Sequence, residues 1–205
     1  MYNKAKIYNL ALSALLVTKR VSNENDPLPE AQALSTHWDT TYNKVLADLD
    51  LNSLRTYKEL ELVEENPNGL WTYAYKYPTN CALLRRLTNF TNLKDTRSNQ
   101  LARSTGIHDG KKVIFTNEYQ AWAEIIPNDL ALTVLSAEAA LALAYYLAWS
   151  AAAELVQGKG SVEIRKEIWQ KYLTAKAEAQ EKDHIENQTF DPEDVESEFV
   201  DARTS

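Results

Sequence analysis

The chain has 205 residues, of which 44% are hydrophobic, and a formal net charge of −7. That is the size of one domain, or of one domain with a large insertion, and it holds enough apolar side chains for a real core. A single cysteine, Cys81, excludes a disulfide framework within the chain and points to folding in a reducing cytosol.

Charge is unevenly placed. Residues 181–205 carry nine acids (Glu181, Asp183, Glu186, Asp191, Glu193, Asp194, Glu196, Glu198 and Asp201) against Lys182 and Arg203, which is −7 by itself. Residues 1–180 then balance at 20 acids and 20 bases. Such a body has no basic excess of the kind that binds phosphate backbones. The first 17 residues lack the basic start, apolar block and small-residue site of a signal peptide. AALALAYYLAWSAAA, residues 139–153, is uncharged but shorter than the ~20 residues that span a bilayer, so it reads as a buried helix.

In chain order, Ile7, Leu10, Ala11, Ala14 and Leu15 repeat at helical spacing and predict a first helix over residues 2–18. NENDPLP is a loop by its Asn, Asp and Pro content, and Pro29 opens the next helix, because the first helical position needs no N–H donor. Leu34, Trp38, Tyr42, Val45, Leu46 and Leu49 line one face of that second helix, which ends near Asp50. Residues 59–63 then read as a strand with Leu60 and Leu62 inward and Glu59 and Glu61 outward. Asn66-Pro67-Asn68-Gly69 is turn chemistry that folds it back on the next stretch.

That stretch, GLWTYAYKYPTNCALLRRL, dominates the middle of the chain. Trp71, Tyr73, Tyr75 and Tyr77 fall on every second residue, the period of a strand with one buried face. Pro78 ends the run, having no N–H for a neighbouring strand. Residues 88–106 read as polar and irregular. Asp109-Gly110 signals a hairpin with residues 113–115 returning, and residues 118–126 read as a last strand stopped by Pro127. Asp129 is a candidate N-cap for a third helix reaching about residue 157, apolar nearly all round and so central. Gly158-Lys159-Gly160 breaks the chain. A fourth helix from Ser161 turns Ile164, Ile168, Trp169, Tyr172 and Leu173 inward, and residues from Asn187 onward receive no regular structure beyond a short turn near Pro192.

Reactive chemistry is sparse. His37, His108 and His184 lie far apart, without a Cys, His or carboxylate at metal-ligand spacing, and read as structural or surface residues. Cys81 has no nearby His and reads as a small core residue. The Gly residues form no phosphate-cradling loop, and the acidic tail matches no calcium loop. The expectation is a protein with no catalytic residues, no metal and no cofactor. The aromatic stripe of Trp71, Tyr73, Tyr75 and Tyr77 leaves an alternative, a sugar- or ligand-binding module with the rings exposed for stacking. In the tail, Phe190, Val195, Phe199 and Val200 are spaced among the acids. That pattern suits a segment that folds onto a partner, and these residues are the candidate partner-binding set.

Four segments together resemble the phage head-to-tail adaptors, the tail tubular A proteins and their head-completion relatives. The first is NLALSALLVTKRVSNENDPLPEA followed by HWDTTYNKVL, similar to the opening helix, polar loop and second helix. The most specific is GLWTYAYKYPTNCALLRRL, close to the family's W-x-Y-A-Y-x-x-P-x-D-C-L strand, although Asn80 stands where Asp is usual. The third is the alanine-rich helix over residues 139–153. The fourth is the ending Phe199-Val200-Asp201-Ala202-Arg203, like a terminal [IV]-x-A-R. Leu54 stands near the place of a Trp-Phe-Ala signature, and residues 88–117 match nothing in the family.

The resemblance implies a structural virion protein of the neck, made in the host cytoplasm and having no active site. Copies would form a ring, twelvefold in the family, joining the portal protein to a tail or nozzle component. Packaged DNA would pass through the channel without specific binding, and no membrane is involved. Arg203, at the position of the family's terminal Arg, would add a directed contact to a carboxylate. The fold expected is mainly α: a bundle of about four helices (residues 1–56 and 127–180), a small antiparallel β-sheet insertion (57–126) and an extended acidic C-terminal arm (181–205).

Overall fold

A computed structural model describes residues 2–89, 101–156 and 161–187. Helix α1, Lys4–Ala14, starts at Asn3, whose side chain accepts the Lys6 N–H. It ends earlier than its apolar spacing suggests because Leu16 takes a left-handed conformation (φ 61°), which lets Val17 N–H reach the Leu12 carbonyl. Helix α2, Pro29–Leu49, begins on its proline and stops at left-handed Asp50. Helix α3, Ala137–Leu155, is capped by Ser136, whose hydroxyl accepts the Ala139 N–H. Asp129 is not its cap: a 3-10 turn, Leu132–Val134, intervenes. Helix α4, Ser161–Glu186, runs well past the point where its apolar spacing fades.

Helix α3 packs against α1, α2 and α4, which explains an apolar surface on almost every side. Leu143, Ala144, Leu147, Ala148 and Ala151 are buried in one cluster with Leu12, Leu34, Leu46 and Tyr172. The alanines let four helices approach closely at the cost of less apolar area per residue. No described helix is long and apolar enough to cross a membrane.

The expected mainly-α fold with a small sheet is overturned. Of the described residues 49% are helical and 22% lie in seven strands, forming two antiparallel sheets in a mixed α/β fold. The strands are β1 Thr56–Glu59, β2 Leu62–Glu65, β3 Tyr73–Lys76, β4 Cys81–Thr88, β5 Arg103–His108, β6 Lys111–Thr116 and β7 Trp122–Pro127. One sheet has the order β1-β7-β4 and the other β2-β3-β6-β5. The Asp109-Gly110 hairpin joins β5 to β6, with both residues at positive φ (49° and 72°), as a two-residue turn of that type requires.

The strand expected over residues 59–63 is a crossing between sheets. Glu59 is the last residue of β1, Leu62 the first of β2, and Leu60 is buried between them with its N–H on the Ala121 carbonyl. Strand β2 does fold back on β3, through a turn in which Asn66 N–H reaches the Thr72 carbonyl.

These elements stack as layers. Ile126 of β7, with Ala82 and Leu83 of β4, faces the helical core. The opposite side of that sheet, through Leu87, Ala123 and Ile125, meets Tyr75 and Ile114 of the four-stranded sheet. Ala74, Val113 and Phe115 form a third, small cluster on the outer face. Both sheets therefore bury side chains on both faces, and this burial makes the β region a substantial part of the core.

Candidate partner-binding surface

The five residues assigned to partner binding, Phe190, Val195, Phe199, Val200 and Arg203, lie outside the described residues. The remaining candidates can be placed. Tyr75 is 2% exposed and donates its hydroxyl to the Glu118 carbonyl at 3.0 Å. Tyr73 and Tyr77 are half-buried at the edges of the same cluster. Lys112 Nζ sits 3.6 Å from the Tyr77 ring centroid, and burial pushes the Tyr77 hydroxyl pKa up to about 12. Trp71 breaks the pattern. It precedes β3 and packs with Ala74, Val113 and Phe115 on the other face of the sheet. The four rings are thus not one row, because β3 is only four residues long and the turn ahead of it redirects the indole.

Cys81 is half-buried at the start of β4, with its thiol 3.9 Å from the Tyr77 hydroxyl. Burial raises its pKa above the ordinary thiol range, the reverse of what activates a nucleophilic cysteine. His37 Nε2 lies 2.8 Å from Glu154, tying α2 to α3, and His108 bonds Glu64 across the outer face. Among the described residues no cluster of three His, Cys, Asp or Glu side chains has metal-binding geometry.

Asn80 has a local explanation. Its Nδ2 donates to Asp129 at 3.1 Å, its Oδ1 accepts from Lys58, and its carbonyl accepts the Asn128 N–H. An aspartate there would set two carboxylates against each other, so the amide fits the neighbour this chain has. Leu54 is buried in the helical core.

The joint between helices and sheets is the most polar interior feature. Glu124 of β7, 1% exposed, lies between Arg55 at 3.3 Å and Arg86, with which it forms a close hydrogen bond. Asp50, the left-handed residue after α2, contacts Arg85 at 2.6 Å and approaches Arg55. Asp183 of α4 closes the other side of the joint through the 3-10 turn Asn52–Leu54. Sequence reasoning treated Asp183 as part of a solvated acidic arm. Its position in phase with Ile168, Tyr172, Ala175 and Ala179 on one helical face was the available signal.

An aromatic cluster lies where α3 meets α4. Tyr146, Trp149, Trp169 and Tyr172 form a ring cluster with centroid separations of 5.1–6.1 Å, and both indoles are partly buried against the helical core. Val162 and Leu173 are exposed on the same helix. No family model matches the sequence, and no curated protein matches it.

Proposed function

We propose that this chain is a phage head-to-tail adaptor, a structural protein that forms a ring between the portal protein and a tail or nozzle component. The observation that carries the reading is the stretch GLWTYAYKYPTNCALLRRL, the segment most similar to that family. In the fold it runs from β3 to β4, leaving one sheet and entering the other. Tyr75 and Leu87 bury themselves between the sheets, and Ala82 and Leu83 reach the helical core. The motif ties the layers together, which is a structural duty suited to a protein that works by holding its shape in an assembly.

Two further features support the reading. The partly buried indoles of Trp149 and Trp169 with exposed Val162 and Leu173 give the helical body an apolar flank that a neighbouring copy would cover. Residues 1–180 balance in charge, which suits a channel lining that must release DNA. The stripe of Trp71, Tyr73, Tyr75 and Tyr77 gives no support to a stacking platform, since its rings are divided between two faces and largely covered.

The test is a mass measurement of the purified chain alone and mixed with the portal protein of the same virus, followed by electron microscopy of intact particles. A closed ring on the portal and density for the chain at the neck are expected. A chain that stays unassembled with portal and is missing from the particle vertex overturns the reading.

A further inference from the structure

A groove opens on the flank of α3 and α4, with a volume of about 380 Å³. Its floor is Trp149 and Trp169, whose rings lie 5.1 Å apart and tilted by 48°. Val162 and Gln170 line it as well, and the charged side chains among its described lining are Arg165 and Lys166, both basic. The Arg165 guanidinium lies over the Trp149 ring, 5.1 Å from its centroid. Its Nε is buried and lacks a hydrogen-bond partner among the described residues. A carboxylate is the acceptor that best matches a guanidinium. The groove is therefore complementary to a peptide with a large apolar side chain flanked by acids.

Residues 188–205, outside the described part of the chain, have that composition. Their side chains include six acids and one base, and Phe199-Val200 stands between Glu198 and Asp201. Distance permits the contact. At ~1.5 Å per helical residue, the level of Lys166 is roughly 30 Å back along α4 from Asn187. The twelve residues from Asn187 to Phe199 span up to ~40 Å when extended. The path is partly apolar, since Leu173, one turn beyond Trp169, is 41% exposed.

We propose that this groove is the docking site of the chain's own C-terminal segment. Phe199 seats against the Trp149 and Trp169 indoles, and the carboxylates of Glu198 and Asp201 face Arg165 and Lys166. The contact is intramolecular and concerns the isolated chain; in a ring a neighbouring copy would displace the segment from this flank, and the mass measurement with portal tests the ring separately from the contact. It gives the acidic segment a resting place on the protein that carries it.

The test uses the intact chain and the indole N–H signals of its five tryptophans in NMR spectra. Replacing Phe199 and Val200 with alanine together should shift the Trp149 and Trp169 signals and leave those of Trp38, Trp71 and Trp122 in place. Because the change lies in the segment, the folded body is not at risk. Raising the salt concentration should move the same two signals the same way, since exposed charge pairs are screened. Arg165→Glu with Lys166→Glu should make the Trp149 and Trp169 signals insensitive to the Phe199 and Val200 changes. If the two signals are unmoved by the double alanine variant, the proposal is wrong. If they shift in a way that disappears on dilution, the occupant is a neighbouring copy's segment and the intramolecular assignment is overturned.

Discussion

Asp183, one turn from the end of α4, takes both the backbone N–H and the side-chain amide of Asn52 on a single carboxylate oxygen, at 2.6 and 2.8 Å. Its other oxygen accepts the Ser53 N–H at 2.9 Å. The last helix thus holds the chain at the point where it leaves the helical body for the sheets.

The first prediction concerns this contact. Burial alone would raise the Asp183 pKa, but the hydrogen bonds from Ser53 and Asn52 outweigh it and hold the carboxyl below the usual aspartate range. A lowered folded pKa means stability that is complete above the unfolded value of ~4 and drains away as pH falls through the folded one. Asp183→Asn should cost about 2 kcal/mol at neutral pH, as for hydrogen bonds to a charged group, and flatten the acid limb of a melting-temperature profile. An unchanged acid limb in the variant would contradict this. Removal of residues 188–205 should lower the melting temperature only by what the docked segment contributes, whereas cutting after Gln180 should lower it further, because only the second cut takes Asp183.

Tyr75 is the next. Its ring fills the space between the two sheets and its hydroxyl is bonded to Glu118. Tyr75→Ala should destabilise by roughly 3–5 kcal/mol, and Tyr75→Phe by about 1 kcal/mol for the lost hydrogen bond. Chemical denaturation of the two variants separates these contributions. Equal losses would mean that the hydroxyl, not the ring, matters.

Gly106 offers a steric test. A Cβ at this position would sit 2.8 Å from Cε2 of Phe115, whose ring lies over the glycine and meets His108 edge-on. Gly106→Ala should cost about 1–3 kcal/mol by overpacking. Adding Phe115→Leu should recover part of that loss, and a double-mutant cycle reads the coupling. Purely additive effects would show that the ring is not the obstacle.

Glu124 is the last. Arg55 and Arg86 converge on it in the joint between sheet and helices. Glu124→Gln leaves two guanidinium groups, each with limited access to water, facing a neutral amide. Breaking such a pair costs about 3 kcal/mol. The loss should be smaller in a triple variant with Arg55 and Arg86 changed to methionine, measured by thermal unfolding. A triple variant as unstable as the single one would contradict the charge argument.

The helices were readable because each signal was local. Pro29 sits at the first helical position, and Leu34, Trp38, Tyr42 and Val45 keep one face. The Asp109-Gly110 hairpin was readable for the same reason. Strand β5 was hidden because RSTGIH lies at the edge of its sheet, largely exposed, and has little apolar patterning. The passage from β1 to β2 looked like one strand because Leu60 and Leu62 alternate with acids, yet only Leu60 is buried and Leu62 is 41% exposed. Which sheet a residue joins depends on partners far along the chain, such as Ala121 for Leu60. The groove between α3 and α4 was not legible because Trp169 reads as a core residue of α4, and its partial exposure depends on how α3 meets it.

The Asp183 clasp also sets how the molecule carries mechanical load. A pull on the chain beyond Asn187 is not borne by α4 alone. It passes through Asp183 into the 52–54 turn, where Leu54 is anchored in the helical core, and then to Arg55 and its bond with Glu124 in the central strand β7. Tension at the end of the chain is thus shared between bundle and sheets, and α4 resists being peeled from its end until the clasp opens.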